Sequence, residues 1–244
     1  LIPNIGISNI NIGVTLALVL MSILTREKRD KKYLYTTLLL VCIMMILILL
    51  GKWTFKLSNP DILLDTDSQY SRIWVKQVST EKATYKTLQV DTGLESYINK
   101  ETGEMGAKYL RFYDLFEYFN KDAESTLLIG GAAYTYPIHY LDKYENKTID
   151  VVEIDDKMTQ IAVEQFGLNI NEPRLKIYNQ DGRSYLNYSE NRYDTILLDA
   201  FKGVNAPFEL TTYESLVNAR DMLNENGVVL TNIIASVEGK DSDF

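Results

Sequence analysis

Apolar residues dominate the first fifth of the chain and alternate with polar residues through most of the rest. The runs Ile5–Leu24 and Tyr33–Gly51 contain no charged residue. Each is close to the roughly 20 apolar residues that a bilayer-spanning helix requires. The pattern therefore predicts one or two transmembrane helices within residues 1–52, with a buried core helix as the alternative for either run.

The spacing of the apolar positions changes after this segment. Tyr70, Ile73 and Val75 alternate with polar residues and predict a small antiparallel β lead-in after a linker at 53–69. Residues Lys108–Phe119 have apolar side chains at helical spacing and predict an amphipathic helix. Beyond them the sequence predicts strands at Thr126–Ile129, Thr148–Ile154, Arg174–Tyr178, Tyr193–Asp199 and Gly227–Ile234, with helices at Pro137–Tyr144, Asp156–Phe166 and Thr211–Met222. Apolar strands that alternate with helices are typical of a parallel sheet buried on both faces, so we predict a Rossmann-like α/β fold.

Composition narrows the ligands that the fold can take. The net charge of −8 leaves no basic stripe for a nucleic acid, but it is compatible with a polycationic ligand. Cys42 and His139 are each the only residue of their type, so we expect neither a disulfide framework nor a metal site.

Glycines and acids follow the predicted strands at the end where open parallel sheets bind their ligands. Gly130 and Gly131 allow a tight turn and a close approach of the backbone to a ligand. Glu153 ends the second strand about 20 residues later, where an acid accepts hydrogen bonds from ribose hydroxyls. Asp181, followed by Gly182, either accepts from an adenine amino group or caps a helix. The sequence therefore predicts a nucleoside site.

Two further features have competing interpretations. Asp199 ends the fourth strand and is either catalytic or a structural acid, while Asp155 is expected to cap a helix. Tyr134, Tyr136 and Tyr140 cluster after the first strand, where their rings either hold a cation or pack in the core.

Four segments carry a resemblance to a known family. LLIGGAAYTYP, DVVEID, DGRSYL and YDTILLDAF occur in the order and spacing of the spermidine synthase (polyamine aminopropyltransferase) family, and most closely resemble its membrane-fused bacterial branch. Upstream, Ser68–Ile73 is similar to the family's S-x-Y-Q-x-I strand, and Val90–Ser96 is similar to its L-D-G-x-x-Q-S segment. The resemblance implies a class I methyltransferase-type sheet in an adenosyl-sulfonium-binding domain at 70–244. We expect this domain to be truncated at its C-terminus, because the chain ends abruptly at Phe244.

The resemblance also implies a reaction, which is aminopropyl transfer from decarboxylated S-adenosylmethionine to an amine. Glu153 would bind the ribose, Asp181 the adenine, and Asp199 would orient and deprotonate the attacking amine. Tyr109 matches the Tyr of the family's Y-H-E segment and would hydrogen-bond the amine, while Tyr70 would contact the substrate. The partners considered are a small amine, lipid around the N-terminal helices and a second copy in a homodimer.

Departures from the family pattern keep two alternatives open. Ala133 stands where the G-G-G-D-G-G loop has its Asp, and Lys202 stands where D-x-x-D-P has its second Asp. Without the acid at Ala133, intact S-adenosylmethionine is admitted more easily, so a methyltransferase is one alternative. A non-catalytic sensor of nucleosides or polyamines is the other. We expect weak use of putrescine.

The predicted location is the cell membrane. The basic loop Arg26–Lys32 favours a cytoplasmic loop and an external domain, whereas adenosyl donors are kept in the cytosol. We give the donor supply more weight and predict an integral membrane protein whose domain lies in the cytoplasm.

Overall fold

The computed structural model describes residues 7–24, 31–201 and 207–234. The chain divides into two compact units, Leu1–Trp74 and Val75–Phe244. Lys202 and most of the basic loop Arg26–Lys32 lie outside the described residues, so the expectations that rest on them stay predictions.

Two helices form most of the described part of the first unit, α1 (Ile7–Leu24) and α2 (Lys31–Ser58). No helix in the described part of the chain is both long enough and apolar enough to cross a membrane. Helix α1 has only 18 residues, and the 28 residues of α2 include polar and charged side chains toward both ends. The predicted transmembrane helices and integral membrane location are therefore wrong, and the expected lipid contact has no support.

The first four strands are β1 (Ile62–Asp67), β2 (Arg72–Ser79), β3 (Thr84–Val90) and β4 (Gly93–Asn99). They form a sheet with the order β1-β2-β3-β4. Strands β3 and β4 are antiparallel, with an irregularity between Leu88 and Gln89. This sheet corresponds to the predicted lead-in, although β1 lies inside the residues 53–69 that we predicted to be a linker.

The predicted amphipathic helix is mostly a 3₁₀ helix, Lys108–Leu115, followed by a single α-helical turn, α3 (Phe116–Phe119). Leu110, Tyr113 and Phe116 are its buried side chains. They are spaced three residues apart, and a helix with 3.0 residues per turn places all of them on one face. An α-helix would have rotated them progressively away from the core.

The second unit is built on a five-stranded parallel sheet with the order β7-β6-β5-β8-β9. Ile129 at the end of β5 pairs with Val152 on one side and with Leu198 on the other, so three strands end level. The chain order reverses between β5 and β8, which opens a crevice at the carboxyl ends of these strands. The strands are β5 (Ser125–Ile129), β6 (Thr148–Val152), β7 (Leu175–Tyr178), β8 (Tyr193–Leu198) and β9 (Leu223–Thr231).

Side chains of alternating direction give this sheet two apolar faces. Leu128 and Leu197 pack with Tyr140 on one face, whereas Ile129 and Ile196 pack in the cluster on the other. The predicted α/β fold with a parallel sheet buried on both faces is confirmed. The helices around it are α4 (Thr135–Lys143), α5 (Asp156–Ile161, continued by a π-helical turn at Ala162–Phe166), α6 (Gly182–Tyr188), α7 (Phe208–Thr211) and α8 (Tyr213–Asp221).

Candidate functional site

The loop after β5 is fixed by close contact with the end of β8. Gly130 has a φ of +99°, and a Cβ at this position would lie 2.4 Å from the carbonyl oxygen of Asp199. Only glycine fits, because any side chain would meet backbone and would also strain the left-handed conformation. Gly130 therefore holds the loop against the strand end that carries Asp199.

Glu153, directly after β6, braces the same loop. Its Oε2 accepts hydrogen bonds from the amides of Gly131 at 2.8 Å and Ala132 at 3.1 Å, and its Oε1 accepts from the amide of Asp155 at 2.9 Å. Burial raises the pKa of this carboxyl, and the three backbone hydrogen bonds oppose the rise. A carboxylate has about four lone-pair sites, so Oε1 still has room for a ribose hydroxyl. The structure shows a loop-bracing role, and the ribose contact stays a prediction.

Asp199 is a mostly buried carboxylate at the end of β8. Its Oδ1 accepts from Asn232 Nδ2 at 3.0 Å, and its Oδ2 accepts from the hydroxyl of Tyr109 at 3.3 Å. Burial raises its pKa, and the hydrogen bonds from its polar neighbours only partly oppose this rise. An acid with a raised pKa in a crevice is a better proton acceptor than an ordinary aspartate.

Two tyrosines of the 3₁₀ helix approach Asp199. The rings of Tyr109 and Tyr113 meet edge to face with centroids 6.3 Å apart. Burial, followed by the charge of Asp199, raises the pKa of both hydroxyls, which therefore stay protonated. The Tyr113 hydroxyl is buried beside the carboxylate without a hydrogen bond of ordinary geometry. The predicted pair of Asp199 and Tyr109 is thus brought together, and Tyr113 joins it.

Glu95, on β4, is an acid of this site that we did not single out from the sequence. Its pKa is raised first by burial and then by the charges of Asp199, Glu153 and Asp91. Glu95 belongs to the Val90–Ser96 segment and stands at the position of the family's Gln. That change from an amide to an acid was the signal that could have identified it.

Asp181 and Gly182 have local structural roles. Asp181 is exposed and caps α6, because its Oδ1 accepts from the amide of Ser184 at 2.7 Å. A Cβ on Gly182 would lie 2.7 Å from Cγ2 of Ile129, so this glycine allows α6 to approach β5. Contacts of either residue with an adenine stay predictions.

Two of the three predicted substrate tyrosines lie in the core of the second unit. Tyr134 and Tyr136 are buried, and their hydroxyls reach Thr159 Oγ1 at 2.8 Å and Asp114 Oδ1 at 3.3 Å. Their burial favours the packing interpretation. Tyr70 belongs to the first unit and is half exposed. Asp155 caps α5 through the amide of Lys157, as predicted.

Comparison with known proteins gives consistent results. The family profile described as the spermine/spermidine synthase domain matches residues 115–238. A probable polyamine aminopropyl transferase of Bifidobacterium longum is 29% identical over 192 residues, which is 77% of this chain and 41% of that protein. A polyamine aminopropyltransferase of Vibrio vulnificus is 31% identical over 121 residues, which is 48% of this chain and 40% of that protein. The chain thus spans about two fifths of the length of these relatives.

Solved structures show the same fold. A probable spermidine synthase from Corynebacterium glutamicum superposes with a TM-score of 0.61 at 22% identity, over 70% of this chain and 63% of that one. The spermidine synthase of Thermotoga maritima superposes with a TM-score of 0.55 at 17% identity, over 70% and 56% of the two chains. The sheet order and the match of the family profile to half of the sequence lead to one conclusion: the chain belongs to the spermine/spermidine synthase family.

Proposed function

We propose that the chain carries the catalytic domain of a polyamine aminopropyltransferase, which uses decarboxylated S-adenosylmethionine as donor and an amine as acceptor. The observation that carries the proposal is Asp199, a mostly buried acid of raised pKa in the crevice beside the Gly130 loop. The names of the curated relatives support the same reaction class.

In this reaction Asp199 prepares the acceptor for attack. An alkyl ammonium has a pKa near 10, close to that of a lysine side chain, and has no free electron pair. The Asp199 carboxylate removes one of its protons, and the nitrogen lone pair then forms a bond to the propyl carbon attached to the sulfonium. The carbon–sulfur bond breaks, and its electron pair passes to sulfur. The products are methylthioadenosine and an elongated amine.

The remaining site residues position the two substrates. The backbone at Gly130 and Gly131 lies against the nucleoside, and Oε1 of Glu153 accepts from the ribose. Asp181 keeps Oδ2 available for the adenine while its Oδ1 caps α6. The Tyr109 hydroxyl, 3.3 Å from Asp199, steers the amine toward that carboxylate.

The acceptor is expected to differ from putrescine. Putrescine is a dication, and its remote ammonium needs an acid that is partly shielded from water. Ala133 has no exposed surface and no carboxylate, so this position cannot bind the remote ammonium. We therefore expect an amine panel to show weak turnover of putrescine, and turnover at the rate of the best acceptor would contradict this.

The test of the proposed function is an assay of the purified chain with decarboxylated S-adenosylmethionine and a panel of mono-, di- and polyamines. We expect methylthioadenosine to form with at least one amine. Formation of S-adenosylhomocysteine from intact S-adenosylmethionine would identify a methyltransferase. Binding of these nucleosides without turnover of any amine would identify a sensor, and either result would overturn the proposal.

A further inference from the structure

The loop after β5 holds two residues other than glycine in the left-handed conformation. Ala132 has a φ of +45° and Tyr134 a φ of +56°. Tyr134 stands where the family's G-G-G-D-G-G loop has a glycine, the residue that adopts this conformation without strain. A bulky side chain with a positive φ is uncommon and persists only where its surroundings hold it. The contacts of Tyr134 therefore matter for the shape of this loop.

Tyr134 contacts the loop and α5 at the same time. Its residue is fully buried, and its ring lies over Gly131, where an added Cβ would be 2.7 Å from Cε2 of the ring. Its amide donates to the carbonyl oxygen of Gly131 at 2.7 Å. Its hydroxyl shares a hydrogen bond of 2.8 Å with Oγ1 of Thr159 on α5. Tyr134 thus joins the turn at Gly131 to the helix that follows β6.

Thr159 extends this link to the end of β7. Its Oγ1 also accepts from Nδ2 of Asn179 at 3.0 Å, and the same Nδ2 donates to the carbonyl oxygen of Glu153 at 3.3 Å. The segments that follow β5, β6 and β7 are therefore joined through one threonine hydroxyl. Under the proposed function these segments carry the nucleoside contacts, at Gly131, Glu153 and Asp181.

Tyr140, on α4, is a similar tyrosine in a different place. It is also fully buried, and its hydroxyl pairs with Oγ1 of Thr126 at 3.0 Å. Thr126 is the second residue of β5, so this pair lies toward the end of the strand opposite the crevice. The two tyrosines therefore allow a role in ligand binding to be separated from a role in stability.

We propose that Tyr134 is a positioning residue, which holds the loop after β5 in its ligand-binding shape by linking it through Thr159 to the ends of β6 and β7. The inference rests on the proposed function for the nature of the ligand, a nucleoside, which Tyr134 itself does not touch. Without the link the loop leaves this shape for part of the time, and the affinity falls with the fraction of chains that remain competent to bind.

The test measures methylthioadenosine affinity by calorimetry in Tyr134→Phe and Thr159→Val, with Tyr140→Phe as the matched control. We expect Tyr134→Phe to bind roughly 3- to 10-fold more weakly than the wild type, the range for one neutral hydrogen bond, and Thr159→Val to lose at least as much. Tyr140→Phe should keep the wild-type affinity. Thr159→Ser retains a hydroxyl and should bind nearly as well as the wild type. The double variant should match Thr159→Val alone, because the Tyr134 hydroxyl then has no partner to lose.

The outcomes separate this inference from the proposed function. Wild-type affinity in Tyr134→Phe, or an equal loss in Tyr134→Phe and Tyr140→Phe, would overturn the inference alone. Losses that add in the double variant would show that the two hydroxyls act separately and would also overturn it. Failure of the wild type to bind methylthioadenosine would overturn the proposed function and this inference with it. Should Tyr134→Phe not fold in thermal unfolding, the comparison of Thr159→Val with Thr159→Ser gives the same decision.

Discussion

Strand β8 carries an aspartate near its first residue and another directly after its last, and their surroundings are opposite. Asp194 Oδ2 accepts from the amides of Glu124 and Ser125, each at 2.9 Å, and Oδ1 accepts from Asn224 Nδ2 at 2.8 Å. Burial alone would raise the pKa of Asp194, but these bonds and one from the Ser125 hydroxyl outweigh it and lower the pKa. Asp199 has side-chain donors only, and its pKa is raised.

Backbone donors contribute to the lowered pKa of Asp194, and Asp199 lacks such donors among the described residues. Asp194 lies beside the first residues of β5, whose amides it accepts. Asp199 lies at the opposite end of the strand, where the crevice opens and no backbone amide of the described residues donates to its carboxylate. The same residue type is therefore held by backbone amides at one end of the strand and carries a raised pKa beside the crevice at the other.

Replacement of Asp199 should lower activity more than any other change. Asp199→Asn should lower turnover at least about 100-fold, the scale of lost general-base help, and should leave methylthioadenosine affinity nearly unchanged. Asp194→Asn is the matched control and should keep its turnover at temperatures where it is folded. Equal turnover of Asp199→Asn and wild type across pH would show that Asp199 is structural.

Glu153 also follows the carboxyl end of a strand but, unlike Asp199, accepts hydrogen bonds from backbone amides. Glu153→Gln places an amide group against these donors and removes the charge. Nucleoside affinity should fall by about 1–3 kcal/mol. Calorimetry with methylthioadenosine measures this, and an unchanged affinity would remove the ribose assignment.

We expect Asp194→Asn, which should keep its turnover, to lose more stability than Asp199→Asn. Asp194→Asn should lower the free energy of unfolding by about 1–2 kcal/mol, a modest value because the carboxyl is partly exposed. Its folded pKa is lowered, so its contribution is present at neutral pH and is lost as the pH falls through the folded pKa. Urea unfolding at neutral and acid pH should show the loss only at neutral pH.

Asp199→Asn should change the free energy of unfolding in the opposite direction to Asp194→Asn. The folded pKa of Asp199 is raised, so its ionised form costs stability as the pH rises through that value. The variant should be slightly more stable than the wild type at neutral pH and equal to it in acid. A less stable variant at neutral pH would contradict the sign of the shift.

Removal of the Tyr109 hydroxyl, which donates to Asp199, should change turnover least. Tyr109→Phe removes the hydroxyl that lowers the pKa of Asp199, so the acid limb of the turnover profile should move to higher pH. At the optimum, turnover should fall by roughly tenfold or less, as for one neutral hydrogen bond. Phe112→Leu on the same 3₁₀ helix is a control of exposed surface.

The sequence was informative wherever a strand ends in a polar residue. Glu153 and Asp199 were predictable because apolar runs define where strands stop, and parallel strands end at one edge. Glu95 was not, since its importance comes from acids that are distant in sequence and brought near it by the fold. The pattern of apolar and polar residues along β4 does not indicate that these acids come close to Glu95.

Two errors came from reading length and spacing too simply. Lack of charge in the apolar runs of the first unit predicts membrane spans, whereas no helix in the described part of the chain combines the length and the apolar character that a span requires. Leu110 and Tyr113 suggested an α-helix, but a spacing of three residues fits both helix types, and packing of Phe116 on the same face selects the 3₁₀ form.

The hydrogen bonds from the loop after β5 to Glu153 should slow the hydrogen exchange of the loop amides. The amides of Gly131 and Ala132 donate to one buried carboxylate instead of water. They should therefore exchange with deuterium as slowly as strand amides, although they lie outside the sheet. Because both depend on a single acceptor, opening that frees one should free the other, and the two amides should lose protection together.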